Sequence, residues 1–315
     1  MTHPRNVRAL VVIGAMIASS TTASAGFQST YLALGDSLAF GTGRDQSPAD
    51  VNNGDRGYVK GFANMLSTLH GGNRPTVINL AIPGEDTASY LGTLPNDQSP
   101  FAYTLNTNYP LASPPSQRAF ALDKIASQAA AGFPVEAITL HLGSNDLFRL
   151  ARSAAFQTAS STDQQAMIGA MFNQFATSYA SIVGELRVAA PAAQITLLGY
   201  YDPFAPYRSL TTDPRFLFAQ FAQGTIPILN SLIAQVAAGV PGATFIDLYP
   251  LFVGREKALT YVDDPDGNVH PNAQGYAVIT GALATVPEPS SMLTMIVGLG
   301  SALGVAIARR RSRTA

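Results

Sequence analysis

Five short runs of nearly continuous apolar, often β-branched residues punctuate the chain: TYLALGD near residue 30, TVINLAI from 76, EAITLHLG from 136, AQITLLGY from 193 and ATFIDLY from 243. Continuous rather than alternating apolar character is what a strand buried on both faces requires. The intervening segments read as helices around 58–70, 117–131, 162–190, 214–239 and 272–284, with Pro227 expected to kink or divide the fourth. Strands alternating with helices predict a parallel sheet covered on both sides, a three-layer α/β/α sandwich of flavodoxin-like type with five strands. The stretch from Gly92 to Ser116 is rich in Pro, Asn, Ser and Thr and has no period, so it reads as a long surface loop.

The two ends follow other patterns. Residues 1–25 place Arg5 and Arg8 before the apolar run ALVVIGAMIA and the small residues SSTTASA, the layout of a secretory signal peptide cleaved after Ala25. Residues 287–315 begin with Pro-Glu-Pro, continue with an uncharged run from Ser290 to Ala308, and end on Arg309, Arg310, Arg311 and Arg313. Such a run is long enough for a transmembrane helix, and the arginines would hold its end in the cytoplasm. The order of these parts resembles the PEP-CTERM sorting signal of exopolysaccharide-producing Gram-negative bacteria. The resemblance implies an exosortase-type processing protease as a partner and a cell-surface or extracellular destination, after transient anchoring in the inner membrane; a simple membrane anchor is the alternative. The middle, residues 26–286, is then one exported domain.

Composition sharpens this picture in two ways. The 315 residues include no cysteine, which excludes disulfides and thiolate metal sites. The ends hold six of the 19 basic residues and one of the 20 acidic ones, Glu288, so the domain between them carries 13 basic against 19 acidic groups, a net charge of −6. That balance argues against nucleic acid as a partner.

In an open parallel sheet, chemistry collects beyond the C-terminal ends of the strands. The segments at that edge are GDSLAFG after the first strand, IPGEDT after the second, GSNDL after the third, and DDPDGNVHPNAQGY after the fifth. Taken together, GDSLAFG, Gly84, GSND and HPNAQGY are similar to the four sequence blocks of the SGNH (GDSL-type) hydrolase family, in that family's order. The resemblance covers nearly all of residues 28–285 and implies the fold of that family. It makes Ser37 the nucleophile and His270 the general base. The backbone N–H groups of Ser37 and Gly84 and the side-chain amide of Asn145 would form the oxyanion hole. These residue types suit acyl transfer: a serine hydroxyl needs a base, and a tetrahedral oxyanion needs donors already in place.

The chain departs from the family at one position. The triad acid usually stands three residues before the histidine, where this chain has Gly267; Asp266, one residue further back, is the nearest carboxylate and the expected acid. Asp263, Asp264 or a backbone carbonyl are the other options. His141, inside the third strand, reads as a packed, hydrogen-bonded core histidine, and Asp36 and Asp146 as groups that fix turns.

These features imply a secreted serine ester hydrolase, an esterase or lipase, that works through an acyl-enzyme without a cofactor on a small-molecule or polysaccharide ester. A carbohydrate O-acetylesterase acting on exopolysaccharide and a catalytically silent surface-binding domain are the alternatives.

Overall fold

The computed structural model describes residues 28–43, 54–94, 116–264 and 268–286. The predicted signal peptide, the sorting tail, most of the 92–116 loop and Asp266 lie outside the described residues.

The five apolar runs form the strands β1 (Thr30–Gly35), β2 (Thr76–Asn79), β3 (Val135–His141), β4 (Gln194–Leu198) and β5 (Ala243–Ile246). They assemble into one parallel sheet in the order β2-β1-β3-β4-β5. Successive side chains point to opposite faces. Tyr31 and Ala33 of β1 therefore enter one core, while Leu32 and Leu34 enter the other.

The helices sort onto these faces. The long ones are α2 (Gly57–Leu69), α4 (Gln117–Ala130), α7 (Ser161–Ala189), α8 (Phe216–Gly239) and α11 (Ala273–Leu283). Short helices stand at the connections: α1 (Ser37–Phe40), α3 (Thr87–Leu91), α5 (Ser144–Arg152), α6 (Ala154–Thr158), α9 (Tyr249–Phe252) and α10 (Glu256–Leu259). Helices α2 and α11 cover the Tyr31 face; α4, α7 and α8 cover the Leu32 face. The expected three-layer sandwich is thus the observed one.

Pro227 lies inside α8 without dividing it. An interior proline costs a helix about 3 kcal/mol. Here the buried residues Ala219, Ala222, Ile226, Leu229, Ile233 and Ala237 recur every three or four positions, so packing on the sheet outweighs that cost. Among the described residues α8 is also the one helix long and apolar enough to cross a membrane, but its contacts with β4, β5 and α7 make it part of the core.

The strand order decides where chemistry can happen. The chain leaves β1 toward β2 on one side and later returns to place β3 on the other, so the connections diverge between β1 and β3. A crevice opens outside the strand ends at such a point. Ser37 follows β1, and Asn145 follows β3.

Candidate active site

The turn that carries Ser37 is built on a strand that ends in glycine. Gly35 lies in register beside His141, has a φ of +121°, and leaves 1.9 Å between the position of a Cβ and the His141 carbonyl oxygen. No other residue fits there. The side-chain amide of Gln117, on α4, clamps this peptide by accepting from Gly35 N–H at 2.6 Å and donating to Gly35 C=O at 2.9 Å. Asp36 then caps α1, its carboxylate accepting Leu38 N–H at 3.0 Å, which leaves Ser37 as the first helical residue, half-buried at the sheet edge.

Asp36 does more than fix the turn. Its fully buried carboxylate also accepts from His141 Nδ1 at 2.8 Å and from the Tyr200 hydroxyl at 2.8 Å. The ends of β1, β3 and β4 are thereby tied together directly beneath Ser37. His141 is the packed, hydrogen-bonded core residue expected from sequence. Tyr200 was not foreseen, and burial raises its hydroxyl well above the ordinary phenol range, keeping it a donor.

The expected oxyanion donors come from two connected segments. Gly84 follows β2 with φ +79° and is buried. Asn145 is the second residue of α5, and its Nδ2 donates one proton to Glu85 C=O at 2.9 Å, which leaves the other for a ligand. Asp146 locks the same two segments by accepting from Thr87 N–H at 3.1 Å and Thr87 Oγ1 at 2.5 Å. An Arg149–Asp86 ion pair adds a third link. Burial, opposed by the Thr87 bond and aided by the neighbouring Asp86 charge, pushes the Asp146 carboxyl up to about 7.

His270 sits on the loop before α11, held by donation from Tyr261 N–H to His270 C=O at 3.0 Å and from the Tyr201 hydroxyl to Val269 C=O at 2.7 Å. Its ring partner is a residue the sequence reading passed over. Asn268 Oδ1 accepts both the His270 backbone N–H at 3.0 Å and the ring Nδ1 at 2.7 Å. A backbone N–H can only donate, so the shared Asn268 atom is oxygen, and Nδ1 must carry the ring proton. Nε2 then keeps its lone pair, as a base requires. The clue in the sequence was the extra residue between Asp266 and His270. Asp263 bonds Tyr207 and approaches Lys257 Nζ at 3.1 Å, a half-exposed arrangement that holds it in ion pairing.

Ser37, Gly84, Asn145, Asn268 and His270 line one open cleft of about 670 Å³. Phe148, Phe204 and Phe218 form an aromatic wall, and Arg152 and Arg215 stand in the same lining. A hydroxyl, an imidazole and the Asn145 amide line one cleft together with Gly84, and such groups are parts that acyl transfer can use.

The GDSL-like lipase/acylhydrolase family model matches residues 33–278, and the PEP-CTERM protein-sorting motif matches residues 285–311. No curated protein matches the chain significantly. Among solved structures, the lipase Lip_vut3 from goat rumen metagenome is similar at 19% identity and a TM-score of 0.53, covering 82% of this chain and 96% of its own. A putative GDSL-like lipase from Parabacteroides merdae is similar at 12% identity and a TM-score of 0.50, covering 81% and 94%. A catalytic mutant of Axe2, an acetylxylan esterase from Geobacillus stearothermophilus, is similar at 15% identity and a TM-score of 0.50, covering 82% and 94%. The chain belongs to the GDSL-like lipase/acylhydrolase family and is an ester-hydrolysing enzyme; its sorting motif marks it for export, surface sorting and exosortase-type processing in a Gram-negative bacterium.

Proposed function

We propose that this family member is an exported serine esterase in which Ser37 and His270 carry out a two-step acyl transfer. Ser37 Oγ attacks the ester carbonyl carbon while His270 Nε2 takes its proton. The negative charge that forms on the carbonyl oxygen is met by the N–H groups of Ser37 and Gly84 and by Asn145 Nδ2. Collapse breaks the bond to the alkoxy oxygen, which leaves as the alcohol with the proton from His270. Water then attacks the acyl-enzyme, again losing its proton to Nε2, and the acid departs as Ser37 is restored. Asn268 holds the imidazole in the reactive tautomer. Asp266 stays the sequence-based expectation for the acid, to be tested by its own substitution.

The observation that carries this reading is the single cleft that collects Ser37, Gly84, Asn145 and His270 from four separate segments of the chain. Residues 1–25 are proposed to be removed on export, and residues 287–315 to anchor the protein in the inner membrane until processing. The decisive experiment is labelling of the protein with a fluorophosphonate. Wild-type protein should label, and Ser37→Ala should neither label nor turn over any ester while its thermal unfolding is unchanged. Failure of the wild type to label would leave the silent surface-binding domain. Deacetylation of exopolysaccharide is the second reading, favoured by the sorting motif.

A further inference from the structure

Beside the cleft lies a second cavity of about 60 Å³, between the N-terminal half of α8, α5 and the segment that follows β4. Six residues line both spaces: Leu38, Ser144, Phe148, Phe204, Phe218 and Val269. Three of these are chain neighbours of the reacting groups, since Leu38 follows Ser37, Ser144 precedes Asn145 and Val269 precedes His270. The cavity therefore abuts the position of the ester carbonyl.

Its walls are apolar, and the few polar groups among them are already engaged. Tyr200 donates to Asp36 at 2.8 Å, Tyr201 to Val269 C=O at 2.7 Å, and Thr225 back to Phe221 C=O within α8 at 2.7 Å. Ser144 Oγ points to Asp36 Oδ2 at 3.4 Å. A sugar hydroxyl or a charged group placed there would lose its water without gaining a partner, whereas an alkyl chain loses nothing. The ring contacts Phe204–Phe218 at 5.7 Å and Phe148–Phe204 at 6.5 Å form the wall shared with the cleft.

Which half of the ester enters follows from the order of steps. The alcohol must leave for solvent and water must replace it, so that side has to open outward. The acyl half stays bonded to Ser37 through both steps and can occupy a closed space. One water-sized group needs roughly 10–15 Å³, so the cavity takes roughly four to six methylene or methyl groups.

We propose that this cavity is the acyl-chain site and that it selects straight-chain acyl esters of roughly five to seven carbons over acetyl esters. The proposal rests on the serine-esterase reading and names its substrate class.

The test is kcat/KM of the full chain on 4-nitrophenyl esters from acetate to dodecanoate, with alkyl acetates of increasing alcohol length as the converse series. Each methylene buried is worth about fourfold. The rate should climb at about that slope to six or seven acyl carbons and then level or fall, with no matching climb in the alcohol series. Ala222→Phe, which places a ring in the cavity, should lower the hexanoate-to-acetate ratio at least tenfold. Should that variant not fold, inactivation of the wild type by alkyl fluorophosphonates of increasing length gives the same readout, a rise to about six carbons supporting the proposal. A labelled, active enzyme that prefers acetate, follows the alcohol length, or shows a flat inactivation series would overturn the acyl site alone. A protein that neither labels at Ser37 nor hydrolyses any ester would overturn the esterase reading, and this proposal with it.

Discussion

Replacing Asn268 by Ala removes an acceptor that the structure gives to His270 Nδ1. The lost contact is a 2.7 Å hydrogen bond to a neutral amide oxygen, which also anchors the His270 backbone N–H at 3.0 Å. A neutral bond of this kind contributes about 0.5–1.5 kcal/mol, so kcat/KM should drop between about twofold and tenfold through loss of ring orientation and tautomer. This is far less than the roughly ten-thousandfold loss expected when a sole carboxylate partner is neutralised. Asn268→Asp puts a negative charge at the same place, which favours the protonated imidazole and moves the acid limb of the pH–rate profile upward by about 1–3 pH units. The assay is kcat/KM on 4-nitrophenyl butanoate from pH 5 to 9 for wild type, both Asn268 variants and Asp266→Asn. The expected pattern is a modest loss for Ala and an upward-shifted limb for Asp, while Asp266→Asn reports whether the sequence-based acid also acts on the ring. A silent Asn268→Ala together with a ten-thousandfold loss in Asp266→Asn would refute the reasoning and put the carboxylate on the ring.

Three further outcomes follow from the same geometry. Asn145→Ala should lower kcat on any ester by about a hundred- to a thousandfold, the cost of one oxyanion donor, with little change in KM; a fully active variant would remove Asn145 from the oxyanion hole. Asp36→Ala strands His141, the Tyr200 hydroxyl and Leu38 N–H in the core, and should destabilise the fold by about 3–5 kcal/mol in urea unfolding. Asp146 is held at about 7 when folded against 3.8 for an ordinary aspartate, so it binds its proton more tightly in the native state. Its contribution is then largest below about pH 4, is lost as the pH rises to about 7 and is level above; Asp146→Asn, which stays neutral, should flatten that window in thermal melts recorded at pH 4 to 8.

Much of this protein was legible before any coordinate. The five apolar runs specified the strands because a strand buried on both faces must be apolar at every position, and that demand is met locally. Gly35 and Gly84 marked the turns for a similarly local reason, the backbone conformation each of them adopts. The segments GDSLAFG and HPNAQGY singled out Ser37 and His270, which line one cleft, since an expected nucleophile and base must be particular residue types. Pro227 does not divide its helix, because propensity counts neighbours along the chain while α8 is held by neighbours across the sheet.

Other features came into being only through tertiary structure. The strand order β2-β1-β3-β4-β5 brings the ends of β1 and β3 together, so that Ser37 and Asn145, more than a hundred residues apart, face one cleft. Asp36 finds His141 at the end of β3 and Tyr200 just after β4, and the apolar cavity exists only where α5, α8 and the segment after β4 meet. Residue type limits what a side chain can donate or accept, and chain geometry limits the backbone it can adopt. Which groups lie within 3 Å of one another is a property of the packed chain as a whole, and so the partner of each buried donor, and the shape left between helices, were settled there.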